Sequence, residues 1–143
     1  MSIWPFRKKE DPRNATAAQV GLWGEDVAAR TLCAKGYRIL GRRVRIGLRD
    51  ELDIVARDGE VLVFVEVKTR RGESFGRPVT AVDRGKRHAM SRAAVRYLKK
   101  LKDPRVAFRF DVVEVVGSPG DSEPVVRHMT NVFTLDRRYV LPA

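Results

Sequence analysis

The sequence has few of the residues on which several common chemistries depend. Its one cysteine, Cys33, excludes an internal disulfide and a multi-cysteine zinc site, and fits a reducing cytosol. Two histidines, His88 and His128, are too few for a histidine-rich metal centre. Long apolar runs are missing as well. The longest, Val61 to Val65, has the length of a buried strand and falls far short of a membrane span. The segment from Met1 to Lys9 lacks the basic-then-apolar layout of a secretory signal. These absences lead us to expect a cytoplasmic protein without a membrane partner.

What is present is a chain of 143 residues, 43% hydrophobic and 33% charged, enough for one folded domain with its own core. Lys and Arg number 29 against 18 Asp and Glu, giving a net charge of +11. Such a field favours polyanions, nucleic acid first. The excess is local. Twelve basic residues and two acids, Glu73 and Asp83, lie between Lys68 and Lys102, so that stretch carries nearly all of the +11.

Residues 1–16 contain Pro5 and Pro12 and no periodicity, and read as a flexible basic arm preceding an α/β domain over 17–143. A helix is predicted from Ala17 to Lys35, ending at Gly36, with Val20, Trp23, Val27, Thr31 and Ala34 on its apolar side. Strands follow over 37–46, 49–57 and 60–69, the last two joined by an Asp58-Gly59 hairpin turn. After a Gly/Pro loop over 70–78, Thr80 and Asp83 form a capping box for a second helix reaching Leu101. That helix is expected to bury Val82, Ala89, Ala93 and Leu98 or Tyr97. Strands over 106–116 and 125–135 complete the order α-β-β-β-α-β-β, an α/β domain with a mixed sheet flanked by helices.

The hairpin carries the chemistry. A turn at Asp58-Gly59 sets Asp53 opposite Phe64 and Glu51 opposite Glu66, with Asp53 diagonal to Glu66. Alternation puts Glu66 and Lys68 on one face and leaves Val61, Val63, Val65 and Val67 as an apolar opposite face. Three carboxylates gathered there need a cation, a shared proton or Lys68 to hold them together. Oxygen ligands beside one ammonium suit Mg²⁺ or Mn²⁺ better than zinc. Lys68 would orient water or steady the phosphorus centre during phosphodiester cleavage. The plainer alternative is a solvated strand rim, against which Asp53 argues, because an acid between Leu52 and Ile54 is costly unless used. Cys33 reads as core, and Asp111 as a partner of loops near the sheet edge or a solvent-facing acid.

The runs Gly21 to Ala29, Asp50 to Ile54, Phe64 to Arg70 and Arg109 to Val113, with Phe75-Gly76, Lys86 and Asn131 to Phe133, closely resemble the YraN (UPF0102) family. That family in turn resembles the Holliday-junction-resolvase branch of the PD-(D/E)xK nucleases. The resemblance covers about residues 20–134 and implies a restriction-endonuclease-like core. It matches Asp53 to the metal-binding aspartate, Glu66 and Lys68 to the (D/E)xK pair, and Glu25 to the glutamate of the first helix. Two departures are Asp50, where the family usually has Gly, which adds charge near the site, and Arg43, where it usually has Asn.

The resulting expectation is a metal-dependent endonuclease-like protein acting on DNA in preference to RNA, branched or structured DNA included. Mg²⁺ or Mn²⁺ would be held by Asp53, Glu66 and the Val67 carbonyl, with Glu51 or Glu25 assisting and Lys68 positioning water. Arg70, Arg71, Arg77, Arg84, Lys86, Arg87 and Arg92 would hold phosphates. A homodimer is implied by the resemblance, and no small-molecule cofactor is expected. The rival expectation is a nucleic-acid-binding adaptor with an idle site.

Overall fold

In a computed structural model, residues 11, 14–71, 83–101 and 105–135 are described. The basic arm falls almost entirely outside them, as do Arg77, Thr80 and Val82. Helix α1 runs Ala17–Ala34. Thr16 caps it by accepting the Gln19 N–H, and the Gln19 side chain accepts the Thr16 N–H in return, so two otherwise unpaired amides are satisfied. The helix stops where expected, at Gly36, whose φ of +90° suits only glycine well. Strands β1 (Arg38–Ile46), β2 (Asp50–Asp58) and β3 (Val61–Arg70) follow. Helix α2 (Arg84–Lys100) then leads to β4 (Phe108–Val116) and β5 (Val125–Met129).

The order of elements is the one read from the sequence, with local differences. Asp83 caps α2 itself by accepting the Lys86 N–H, rather than serving as the third residue of a capping box. The buried face of α2 is Met90, Ser91, Ala93, Ala94, Val95 and Leu98, so Ala89 is only half-buried. Strand β5 ends at Met129, short of Leu135.

The five strands form one sheet in the order β1-β2-β3-β4-β5, antiparallel except for β3–β4. The parallel pair demands a crossover, which α2 supplies. Each helix seals one face. Val27, Ala28, Ala29 and Leu32 of α1 pack on Ile54, Ala56, Val63, Val65, Val113 and Val115. Met90, Ala93, Ala94 and Leu98 of α2 pack on Leu62, Phe64, Phe110 and Val112. The valine-rich face of β3 is therefore the α1 side, with Val61 and Val67 partly buried at its ends. Cys33 is exposed, not core, because the buried stripe of α1 runs through Ala29 and Leu32.

Gly24 sets how closely α1 approaches the sheet. A Cβ there would lie 1.9 Å from Thr69 Oγ1 and 2.9 Å from Thr69 Cβ, and rotating the threonine cannot relieve the second contact. Gly24→Ala should therefore destabilise the protein by about 1–3 kcal/mol. Urea unfolding would check this, and an unchanged midpoint would contradict it.

Candidate functional site

The β2–β3 turn differs from expectation by one residue. Asp58 pairs with Val61, leaving Gly59-Glu60 as the loop, and the printed partners continue to Ile54–Val65. Gly59 has φ of +60°, which makes it the natural first central residue of a tight hairpin turn. Continued one step, this register sets Asp53 across from Glu66 rather than Phe64, and the paired stretch does not reach Glu51.

A second irregularity redirects the acids. Arg42 pairs with Ile54 and Val44 with Leu52. Ile54 belongs to the α1-side core, while Val44 and Leu52 belong to the α2-side core. Residues two apart on a regular strand share a face, so both strands change faces at this level. The break lies at Arg43, whose φ of +49° is left-handed, with Asp53 across from it.

Asp53 consequently looks into the gap between strands. Its Oδ2 accepts the Val67 N–H at 2.9 Å, and its carboxyl lies beside that of Glu66. Asp53 also lines a cleft of about 710 Å³ on the α1 side, together with Glu25, Arg43, Glu51, Val67, Thr69 and Arg71. Glu66 is buried, and its Oε1 lies 3.5 Å from Lys68 Nζ and 3.3 Å from Lys86 Nζ of α2. Burial and the Asp53 carboxylate push its pKa up to about 7, against the opposing pull of Lys86 and Lys68. The expected trio of carboxylates is thus a pair. Among the described residues no three His, Cys, Asp or Glu side chains converge as metal ligands. Glu51 lines the α1-side cleft, while Glu66 reaches toward α2.

Glu25 is not a solvated helix acid. It is 6% exposed, with Arg42 Nε on Oε1 and Arg43 Nε on Oε2, both at 3.1 Å. The close seat of α1 at Gly24 carries Glu25 into the cleft.

The cationic residues divide by what they touch. Arg84 and Arg87 are exposed on the first turn of α2. Lys86 turns inward to Glu66, a site contact its place in a basic run did not disclose. Arg92 is engaged by Asp50 through two bonds of 2.7 and 2.6 Å, so it braces the start of β2. Those bonds also hold the Asp50 carboxyl below its usual value, so Asp50 adds no loose charge near the site. Arg71 donates to the Ala15 carbonyl, and Arg70 Nε lies 3.9 Å from buried Glu114.

A buried polar network sits at the other end of α1. Asp111, fully buried, accepts from Arg109 Nε at 3.0 Å, from His128 Nε2 at 2.8 Å and from the Asn131 N–H at 3.0 Å. Burial works to raise the Asp111 carboxyl, yet these bonds hold it below its ordinary value. Arg109 also reaches Tyr37 and Asp58, and Lys35 Nζ lies 3.0 Å from His128 Nδ1. Of this network the sequence offered one clue, the Arg109-x-Asp111 spacing on an apolar strand, which places both side chains on one face.

Residues 24–115 match the uncharacterised protein family UPF0102. UPF0102 protein CT2262 of Chlorobaculum tepidum is 45% identical over 109 residues, 76% of this chain and 84% of that protein. UPF0102 protein STH1475 of Symbiobacterium thermophilum is 47% identical over 115 residues, 80% of this chain and 96% of that protein. UPF0102 protein GSU0650 of Geobacter sulfurreducens is 44% identical over 116 residues, 81% and 89% of the two chains. A five-stranded mixed sheet between two helices, consistent with a restriction-endonuclease-like core, is thus the fold of a chain that belongs to family UPF0102.

Proposed function

We propose that the protein is a metal-dependent endonuclease acting on DNA. The observation that carries this is the contact of Asp53 with Glu66 at a break in the sheet, beside a cleft and between two lysines. The donor set fits a hard cation. It is all oxygen, and burial beside Asp53 raises the Glu66 carboxyl to about 7, a penalty on its charged form that a divalent ion would offset. Asp53, Glu66 and the Val67 carbonyl would hold Mg²⁺ or Mn²⁺. When bound, the ion would polarise the phosphoryl group and offset its charge.

The chain's own residues do the rest. Lys68, half-exposed beside Glu66, holds the attacking water and the charge developing on the phosphoryl oxygens. Lys86 keeps Glu66 from repelling the phosphate. Arg84 and Arg87 grip the backbone away from the reacting bond. A homodimer, which the family resemblance implies, would bring two such sites to paired strands. Incubation with linear, single-stranded and four-way DNA in Mg²⁺, Mn²⁺ or EDTA tests the proposal. Absence of divalent-dependent cutting on every substrate would overturn it.

A second reading, a nucleic-acid-binding adaptor, draws on the same pair. Lys68 and Lys86 already face Glu66, so the acids are tolerated without any ion. It predicts DNA or RNA binding without cleavage. Both readings share an expectation for α2. Arg84→Glu with Arg87→Glu should weaken binding to DNA of any sequence and flatten the log–log salt slope by about 0.9 per lost phosphate contact. Stability should change by no more than about 1 kcal/mol, since both side chains are exposed. Fluorescence anisotropy across a salt series measures this. An unchanged slope would move the phosphate surface elsewhere.

A further inference from the structure

We infer that Arg43 is the phosphate-binding cation of the α1-side cleft, held in reserve by Glu25 until a nucleic-acid strand enters. The inference deepens the proposed nucleic-acid function and rests on it.

Three observations converge on this residue. The first is its backbone. Arg43 has φ of +49° inside a strand, one of two described non-glycine residues with positive φ. A left-handed conformation is uncommon for a side chain of this kind, and such strain collects at functional sites. Here it has a visible consequence, since it marks the level at which β1 and β2 change faces and Asp53 turns into the gap.

The second is its placement. Arg43 lines the cleft with Asp53, Val67, Thr69 and Arg71, and its side chain is 47% exposed, so the guanidinium can reach an incoming group. Arg71, the other arginine there, is tied to the Ala15 carbonyl. Arg42, on the neighbouring position, is divided between Glu25 and Asp26, the latter at 2.5 Å. Among the described residues Arg43 pairs with Glu25 alone, at 3.1 Å through Nε.

The third is the nature of that partner. Glu25 is buried and carries Arg42 on one oxygen and Arg43 on the other, while Arg42 is shared with Asp26, so two carboxylates meet two guanidiniums. Releasing Arg43 to a phosphate leaves Glu25 paired with Arg42, and Asp26, which shares Arg42, is 55% exposed and so screened by water. The exchange trades one anion for another at the same guanidinium, which offers a planar fork suited to phosphate oxygens. The chemical class recognised is a phosphodiester backbone, with Arg43 reading no base.

Asparagine tolerates the left-handed conformation and removes the charge, so Arg43→Asn separates strain from function. Binding of a fluorescein-labelled DNA duplex in EDTA is followed by anisotropy over a salt series, with thermal melting alongside. Arg43→Asn should melt at or above the parent temperature, bind about tenfold more weakly, and show a salt slope shallower by about 0.9. Glu25→Gln should do the reverse and tighten binding several-fold by freeing the guanidinium. The Glu25→Gln gain should disappear in the double variant with Arg43→Asn. Arg43→Asn that binds like the parent, or a Glu25→Gln gain that survives Arg43→Asn, would assign the effect to Arg42 or Arg71 and overturn the inference. Parent protein that binds no DNA would overturn the functional proposal first, and this inference with it.

Discussion

Glu66→Gln is expected to lower divalent-dependent cleavage by at least about a hundredfold while making the metal-free protein more stable above neutral pH. The two effects share one cause. Burial and the neighbouring Asp53 carboxylate raise the Glu66 carboxyl from 4.5 to about 7, so the folded chain keeps a proton that the unfolded chain releases near pH 4.5. Stability is therefore present in full below about pH 4.5 and declines as pH rises toward 7. At about 1.4 kcal/mol per unit, the loss reaches about 3 kcal/mol. Glutamine has no proton to lose, so the variant should show a flatter profile over this interval. Urea unfolding at pH 5, 6, 7 and 8 with EDTA measures it. A parent protein whose stability rises across that range would contradict a raised Glu66 carboxyl. Asp53→Asn should be equally inactive. Lys68→Met should differ, still taking up Mn²⁺ but failing to cut, because it removes the water-positioning group and leaves the oxygen ligands. Parent protein that takes up no divalent ion at millimolar concentration, with DNA present, would leave the adaptor reading in front.

Asp111→Ala should cost about 3–5 kcal/mol, the largest effect on stability expected outside the apolar core. The carboxylate is fully buried and receives bonds from Arg109, His128 and the Asn131 N–H. Removing it leaves a half-buried arginine with, among the described residues, Asp58 alone to balance it, and strands two further donors. Domains of this size are stable by about 5–15 kcal/mol, so the variant should melt many degrees lower or fail to accumulate. The sign with pH is opposite to that of Glu66. The Asp111 carboxyl is held below its unfolded value, so its contribution is present above that value and lost on acidification. Asp111→Asn keeps the shape and should fall between parent and alanine. A small change in midpoint for Asp111→Ala would mean that water substitutes for the network. DNA binding by folded Asp111→Asn should match the parent, since the network joins the C-terminal end of α1, whereas the cleft is lined by its N-terminal half.

The sequence by itself determined the order of elements, and did so through local rules. Gly36 ends α1 because few other residues accept its backbone angle, and the alternation of Val61, Val63, Val65 and Val67 puts those four side chains on one face of β3, the face that α1 covers. Glu66 and Lys68 were legible as a same-face pair because two residues on a strand always share a face. It also named Asp53, since an acid inside an apolar strand requires a use.

Only the tertiary structure decided which groups meet. The turn closes on Gly59-Glu60 instead of Asp58-Gly59, a slip of one residue that moves every cross-strand partner by two. The left-handed Arg43 breaks an alternation that the sequence shows as continuous, and so separates Glu51 from Glu66 while keeping Asp53 with it. Lys86 and Glu25 come into the site, and Asp111 meets His128 and Arg109, through packing of segments far apart in the chain. The physical reason is common to all of them. Periodicity reports which face a residue occupies, whereas register and helix approach are set by turn closure and by close contacts such as Gly24 on Thr69, which no residue states alone.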